Sequence, residues 1–227
     1  MEGQGKVENV VGADLCVCPM IYEEEAEAII LAAGDFPSHA VPLQALEQYR
    51  NRVICCDGAA EALLKAGFYP ETVIGDGDSL SPEMRTKLSD RFICDTNQDT
   101  NDLTKAFRYA LSRNYKRLYI LGATGKREDH TLGNISLLAD YLDYAEVRML
   151  TDYGTLIPVT GNSIFTSYPG QQISVFCMDQ SPLTVSGLKW PIKNRIVNRW
   201  WEATLNEALS DRFEIKTNGK VVVFQGH

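Results

Sequence analysis

The sequence predicts an α/β fold, a parallel-sheet, Rossmann-like layout over residues 1–154, followed by a small all-β domain over residues 155–227. Three observations carry this reading. Short Val/Ile/Leu-rich runs that often end in Gly or Asp alternate with amphipathic stretches through the first two thirds of the chain, the pattern of parallel strands joined by right-handed helical crossovers. Helical periodicity fades after Thr151. From there Gly, Pro and Ser punctuate short alternating runs instead.

The predicted strands are Ala28–Ala33, Arg52–Cys56, Thr72–Gly75, Arg91–Cys94, Arg117–Gly122 and Glu146–Leu150. Between them Ala59–Ala66 reads as a helix, and Ser81-Pro82-Glu83 opens another, with serine as N-cap and proline at the first helical position. The clearest helix spans about Thr100 to Arg113, where Leu103, Ala106, Phe107, Ala110 and Leu111 share one apolar face. A further helix from about Thr131 to Tyr144 carries Leu132, Ile135, Ala139 and Leu142 on one stripe. In the C-terminal part Ser163–Thr166, Gln172–Cys177, Leu183–Val185, Phe213–Lys216 and Lys220–Phe224 read as strands, and Asn218-Gly219 signals a hairpin between the last two.

Composition narrows the function classes. The 227 residues suffice for a substantial core, and 44% apolar with 23% charged residues is ordinary for a globular chain. A net charge of −8 without a Lys/Arg-rich stretch argues against nucleic acid as the partner. No apolar run approaches membrane-span length, and the first twenty residues lack the basic start and long apolar core of a secretory leader. Six cysteines without a CxxC pair read as reduced, buried thiols of a cytoplasmic protein. Three widely spaced histidines, His39, His130 and His227, do not suggest a zinc site.

The informative residues are aspartates at strand ends. Asp57 follows Val-Ile-Cys-Cys, and Asp76 and Asp78 follow Thr-Val-Ile-Gly. Asp99 and Asp102 open the helix near 100–113, and Asp129 follows the glycine-rich loop after the run at 117–122. In an open α/β sheet ligands bind outside the carboxyl ends of the strands, so parallel strands put all six carboxylates on the binding edge. Asp76 and Asp78, two apart in an extended segment, share a face and suit a hard cation such as Mg²⁺. Each aspartate taken singly has a turn or helix-cap role open to it. Six together repel by ~1 kcal/mol per close pair even in water, a cost that a metal with its phosphates removes. Lys105, Lys126 and Arg127 are interleaved with them, the mixture of charges that phosphoryl transfer uses. Gly122–Lys126 fails the P-loop pattern at both ends, and no G-x-G-x-x-G follows the first strand.

In order along the chain stand Asp57-Gly58-Ala59, Gly75-Asp76-Gly77-Asp78-Ser79, Asn97-Gln98-Asp99-Thr100-Asn101-Asp102, Gly125-Lys126-Arg127-Glu128-Asp129-His130 and Gly187-Leu188-Lys189-Trp190. This ordered set, from about residue 28 to the C-terminus, resembles the thiamine pyrophosphokinase family. The resemblance implies an N-terminal α/β layer with a sandwich-like C-terminal β domain, and a homodimer with active sites at the subunit interface. It implies Mg²⁺-dependent transfer of pyrophosphate from ATP to thiamine, giving AMP and thiamine diphosphate. Carried over, Asp76, Asp78 and Asp102 are the metal and pyrophosphate carboxylates, with Asp99 a further catalytic carboxylate. Asp57, Gln98 and Lys105 border the ATP, and Arg127 and Asp129 are phosphate and substrate contacts. Trp190, Thr204 and Asn206 would line the thiamine wall. Trp190, Trp200 and Trp201 offer faces for a cationic thiazolium, or equally pack within the β domain. The chain departs from the family pattern at Asn97, Asn101 and Lys126, and at the serine positions of the stretch Glu202–Glu207. A Mg²⁺-dependent nucleotide phosphohydrolase, and a non-catalytic nucleotide or thiamine sensor, are the alternatives.

Overall fold

The six apolar runs become six parallel strands: β1 (Ala28–Leu31), β2 (Val53–Cys56), β3 (Thr72–Gly75), β4 (Phe92–Cys94), β5 (Arg117–Leu121) and β6 (Glu146–Leu150). Their spatial order is β4-β3-β2-β1-β5-β6. The computed structural model describes residues 26–227. The leader reading of the first twenty residues, and Cys16 and Cys18, lie outside the described residues.

Alternate side chains on these strands go to opposite faces, and both faces are covered, as a parallel sheet requires. Ile30, Ile54 and Ile120 face one apolar cluster with Leu103, Ala106, Phe107 and Ala110 of α4 (Asp102–Ser112) and with Leu138 and Tyr141 of α5 (Glu128–Tyr141). Ile29, Leu31, Val53 and Val73 face a second cluster. It is closed by Ala45 and Leu46 of α1 (Ala40–Gln48) and by Ala60 and Leu63 of α2 (Ala60–Lys65). In α3 (Pro82–Lys87) Ser81 is the N-cap, accepting from the Met84 amide ahead of Pro82. Asn101 caps α4 in the same way, its Oδ1 accepting from the Thr104 amide at 2.9 Å.

Helix α5 departs from expectation at its start. It begins at Glu128 rather than near Thr131, and Leu132 is exposed while Leu138, Ala139 and Tyr141 are buried. Of the expected stripe Ile135 packs against the core and Ala139 is buried, so only its Leu132 end lies in solvent, and the earlier start places Asp129 inside the first turn. Helix α1 has no counterpart among the predicted elements.

The C-terminal strands are β7 (Gly154–Thr166), β8 (Gln172–Cys177), β9 (Pro182–Ser186), β10 (Ile192–Ile196), β11 (Asn206–Glu207) and β12 (Arg212–Gly226). β7 pairs antiparallel with β6 through Met149↔Leu156 and Leu150↔Thr155, so the hydrogen-bonded sheet continues into this region. The expected hairpin at Asn218-Gly219 is not formed. β12 is one strand paired with β7 throughout, and its register shifts between Thr217 and Lys220 to make a bulge. On its other edge it pairs first with β9 and then with β8. Asp179 stabilises the bulge by accepting from the Lys220 amide at 2.8 Å. A Cβ on Gly219 would lie 2.1 Å from that carboxylate, so glycine serves close approach here rather than a turn. Ile173, Val175, Val185, Phe213, Ile215 and Val223 form the apolar cluster of this part.

Cys55, Cys56 and Cys177 are buried as expected, but Cys94 is exposed because β4 lies at the sheet edge. Among the described residues no helix is long and apolar enough to cross a membrane.

Candidate active site

The strand order reverses between β1 and β5, and the loops after the carboxyl ends of β2, β3 and β4 lie to one side of that switch point. Asp57 opens a 3₁₀ turn directly after β2 and is buried. Its Oδ1 accepts from the Gly58 amide at 2.6 Å and its Oδ2 from the Gly77 amide at 2.9 Å. A Cβ on Gly75 would sit 2.5 Å from the Asp57 carboxyl carbon, so the glycine at the end of β3 makes room for this side chain. Burial raises the Asp57 pKa, and the Asp102 and Asp76 carboxylates push it further up against the pull of the two amides. The repulsion expected of an acidic cluster is therefore present between these residues.

Asp76 accepts from the Asp78 amide at 3.0 Å through Oδ1, and Gln98 Nε2 donates to its Oδ2 at 3.4 Å. These bonds, the Asp78 amide first, hold the Asp76 carboxyl below the usual range. Asp78 is 88% exposed, with the Arg85 guanidinium at 3.9 Å. Lys105, one turn into α4, is 5% exposed. Its ammonium donates to the Asp95 carbonyl at 3.0 Å and to Asp102 Oδ1 at 3.1 Å. Burial alone would lower the Lys105 pKa, but the Asp102 bond and charge outweigh it and the net shift is upward. The fold thus brings Asp57, Asp76, Asp78, Gln98, Asp102 and Lys105 to one edge.

Arg127 and Asp129 stand across from this group, where α5 begins. They pair through Nε–Oδ1 at 3.1 Å and Nη2–Oδ2 at 2.5 Å, and this ion pair lowers the Asp129 pKa. The start of α4 is joined to the middle and end of α5 by Asn101 Nδ2 donating to Asn134 Oδ1 at 3.4 Å and by a Thr104–Tyr141 hydroxyl contact at 2.8 Å. Between α4 and α5 runs a groove of about 700 Å³, with Asp99, Thr100 and Asn101 at one end and Leu111 and Tyr144 among its other lining residues. The Thr100 hydroxyl is buried without a hydrogen-bond partner among the described residues.

Trp190, Thr204 and Asn206 are not brought to these carboxylates. Among the described residues no hydrogen bond, ion pair or ring contact joins the two groups. Asn206 sits on β11, which joins the sheet only through β8 and β12, and β7, β6, β5, β1 and β2 then separate β12 from β3. Asn206 is buried and its amide is engaged: Oδ1 accepts from the Trp190 amide at 3.1 Å and Nδ2 donates to the Trp190 carbonyl at 2.7 Å. It thereby holds out Trp190, which is 56% exposed with the Lys189 ammonium 5.1 Å from its ring centre. Thr204 donates to the Trp201 carbonyl at 2.9 Å.

Residues that the strand-end pattern missed include Asp35, Asp95 and Asn134. Asp35 follows Gly34 just after β1, the same Gly/Asp signal that marked Asp76. Its amide donates to the Thr124 carbonyl at 2.8 Å, which ties the β1 and β5 loops together. Asp95 enters through its carbonyl, which no residue pattern reports.

Among the described residues no three His, Cys, Asp or Glu side chains are arranged to hold a metal ion, so Asp76, Asp78 and Asp102 are not a ready-made cage. Their donors are all hard oxygens, and Lys105 occupies only one oxygen of Asp102. Such a set fits Mg²⁺, which takes one or two carboxylates and completes its shell with water and phosphate.

Comparison with known proteins agrees with this layout. Residues 43–150 match the family model for the thiamin pyrophosphokinase catalytic domain, and residues 154–224 match that for its substrate-binding domain. The chain is 29% identical over 175 residues to thiamine pyrophosphokinase of Bacillus subtilis, spanning 73% of this chain and 81% of that one. It is 30% identical over 168 residues to thiamine pyrophosphokinase 1 of Oryza sativa subsp. japonica, covering 63% of this chain and 62% of the relative. In fold it is similar to a thiamin pyrophosphokinase family protein from Enterococcus faecalis, with TM-score 0.75 and 22% identity over 88% of this chain and 98% of that one. Two consecutive domain models of one family span most of the described residues, and on that ground the chain belongs to the thiamin pyrophosphokinase family.

Proposed function

We propose that this chain transfers the pyrophosphoryl group of ATP to the hydroxyl of thiamine, releasing AMP. The observation that carries the reading is the acidic edge built around one buried ammonium: Lys105 bound to Asp102 and the Asp95 carbonyl, with Asp57 and Asp76 beside it. Asp76, Asp78 and Asp102 would hold Mg²⁺. When bound, the ion offsets the negative charge of the phosphates that these carboxylates would otherwise repel.

The protein's own part is placement and charge. Lys105 keeps Asp102 aimed at the edge and supplies a fixed positive charge behind it. Gln98 and Asp57 border the nucleotide. Asp57 achieves this with both carboxyl oxygens fastened to backbone amides, so its side chain cannot swing. Arg127 meets phosphate, and its pairing with Asp129 presets the angle of both groups. Asp99 lines the groove between α4 and α5, and in this reading it orients the thiamine hydroxyl and receives its proton as the oxygen attacks the β-phosphorus. The bond from that phosphorus to the AMP oxygen breaks, and AMP departs with the electron pair.

The thiamine wall of Trp190, Thr204 and Asn206 belongs to residues 155–227, and residues 1–154 bind ATP and Mg²⁺. The placement of Asn206 at the β8–β11 end of the sheet, away from β3, supports a homodimer in which the wall of one chain faces the carboxylates of its partner. The Rossmann-like and sandwich-like descriptions of the two parts, and a cytoplasmic location with reduced thiols, belong to the same proposal.

The test incubates the protein with ATP, Mg²⁺ and thiamine and follows AMP and thiamine diphosphate by chromatography, against controls lacking thiamine or containing a chelator. Thiamine-dependent AMP formation, abolished by the chelator, is expected. Nucleotide loss at equal rate without thiamine would replace the transferase reading with hydrolysis.

A further inference from the structure

We propose that Lys126 is a positioning residue for the Arg127–Asp129 pair, tethering the β5 loop to the end of β1 across the switch point of the sheet. The inference rests on the roles proposed above for Arg127 and Asp129.

Three observations carry it. Lys126 has φ 57°, in the left-handed region that glycine adopts freely and a residue with a side chain adopts at a cost. At this position the chain takes, with a lysine, a backbone that glycine would take more easily. What it gains is visible: the ammonium reaches back over the sheet edge and donates to the Ala33 carbonyl at 2.7 Å. Second, the same two loops interlock by backbone. Gly34 donates to the Gly122 carbonyl at 2.6 Å and Asp35 to the Thr124 carbonyl at 2.8 Å. Cβ atoms on Gly34 and Gly125 would lie 2.3 Å from the Thr124 carbonyl oxygen and 2.0 Å from the Asp35 carboxylate. Lys126 is the last point of this clasp before the helix. Third, few bonds hold the start of α5. Its N-cap Arg127 carries a side chain with donors only, which cannot accept from the first-turn amides; Asp129 Oδ1 accepts from the His130 amide at 2.9 Å and the Thr131 hydroxyl donates to the Arg127 carbonyl at 3.1 Å. Lys126 stands just before this N-cap, so its tether acts on the entry of the first turn.

The two residues whose geometry matters follow directly. Arg127 and Asp129 are both more than half exposed, and among the described residues neither side chain makes a hydrogen bond or ion pair with a third side chain. A shift of the loop moves both together relative to the carboxylates beyond the switch point. Misplacement of an ångström in such a site costs roughly ten- to hundredfold in turnover.

The experiment compares K126M, K126R and K126G in the full chain by steady-state kinetics, thermal unfolding and hydrogen exchange. K126M removes the donor and keeps the left-handed backbone. K126R restores a donor. K126G relieves the backbone and removes the tether. The expected result is a fall in kcat of roughly tenfold for K126M and K126G, with K126R within about twofold of the parent. The Tm of K126G should be equal to or above that of the parent, which separates lost positioning from lost stability. Amides of residues 127–131 should exchange faster in K126M and K126G and at the parental rate in K126R. Parental kcat in K126M and K126G overturns the proposal, as do unaltered exchange rates, or activity losses that track Tm across the three variants. Exchange is read without turnover. A parent chain that forms no thiamine diphosphate would thus sink the proposed function while leaving the tether to be judged by exchange alone.

Discussion

Replacing Lys105 with methionine tests whether a buried cation organises the acidic edge. Methionine keeps most of the buried stem and deletes the ammonium. Two charge-assisted bonds are lost, to the Asp95 carbonyl at 3.0 Å and to Asp102 Oδ1 at 3.1 Å. A hydrogen bond from a charged donor is worth about 1.5–3 kcal/mol when buried, which applies to the carbonyl. Asp102 is 42% exposed, so water takes over part of the lost partner and that bond counts for at most about 1 kcal/mol. The expected destabilisation is about 2–3 kcal/mol, or roughly 5–10 °C in Tm for a chain of this size. Asp57, Asp76 and Asp102 are also left without their nearest fixed cation, so the apo protein should lose more stability than the Mg²⁺-ATP complex, where the ion restores positive charge. Thermal unfolding in the presence and absence of Mg²⁺-ATP, with kcat and KM on the same samples, reads all three effects. A K105M protein whose Tm lies within about 1 °C of the parent, with kcat/KM unaltered, would refute the assignment of Lys105 as the organising charge.

Three further outcomes follow from the geometry. D78N should lower kcat by about two orders of magnitude, as loss of a charge-handling group at a phosphoryl centre does. Because Asp78 is 88% exposed, the unfolding free energy should stay within about 0.5 kcal/mol, and near-normal turnover would remove Asp78 from the metal set. N206A leaves the Trp190 amide and carbonyl unpaired, costing about 1–3 kcal/mol. It should raise KM for thiamine with little change in kcat, and an unchanged KM would separate Trp190 from the substrate. His227 stacks on His39 with ring centres 4.6 Å apart, and burial, followed by the neighbouring His39, lowers its pKa despite the Thr151 carbonyl and Asp152. The unfolded chain therefore binds the proton first as pH falls. The stabilisation is complete above the ordinary histidine value of about 6.5 and is lost as pH drops through the lower folded value. Urea midpoints at pH 7.5 and 5.5 should fall more steeply for the parent than for H227F, which keeps a stacking ring, and parallel slopes would dismiss the histidine.

What the sequence revealed of the fold follows a physical division between local and non-local causes. Runs such as Val-Ile-Cys-Cys and Thr-Val-Ile-Gly are legible because a strand buried on both faces must be apolar throughout. α4 is legible because one face of it must be apolar. α1 is not, because its buried residues are only Pro42, Ala45 and Leu46 and its cap is the ring of His39 rather than a short polar side chain. β10 escapes notice because Lys193-Asn194-Arg195 is exposed on an edge strand. Pro158 and Gly161 disguise the length of β7, yet β6 reaches only Thr155 and Leu156, and proline is tolerated where a strand edge is open. Asn218-Gly219 gave a strong local hairpin signal, and thirteen paired residues with β7 overrode it.

The site divides along the same line, and the division has a consequence for function. That Asp57, Asp76 and Asp102 lie on one edge follows from parallel strands alone, since every strand that enters the sheet in the same direction delivers its last residue to the same side. Which of them touch does not follow, because Lys105 finds Asp102 and the Asp95 carbonyl only once β4 is laid beside β3. The distance from this edge to Trp190 depends on strand order more strongly still. Had the C-terminal strands folded back beside β2, one chain would close its own site. β7 instead extends the sheet from β6, away from β3, and the shared-site dimer proposed above rests on that placement. Mixing D78N with N206A is then diagnostic: in a shared-site dimer, a mixed pair holds one site with both defects and one with neither. At a thiamine concentration that saturates the parent but lies far below the raised KM of N206A, each variant alone turns over little, and activity should rise on mixing to about a quarter of the parental value, from random pairing into half mixed dimers with one intact site each. Activity that only averages the two variants would place the whole site within one chain.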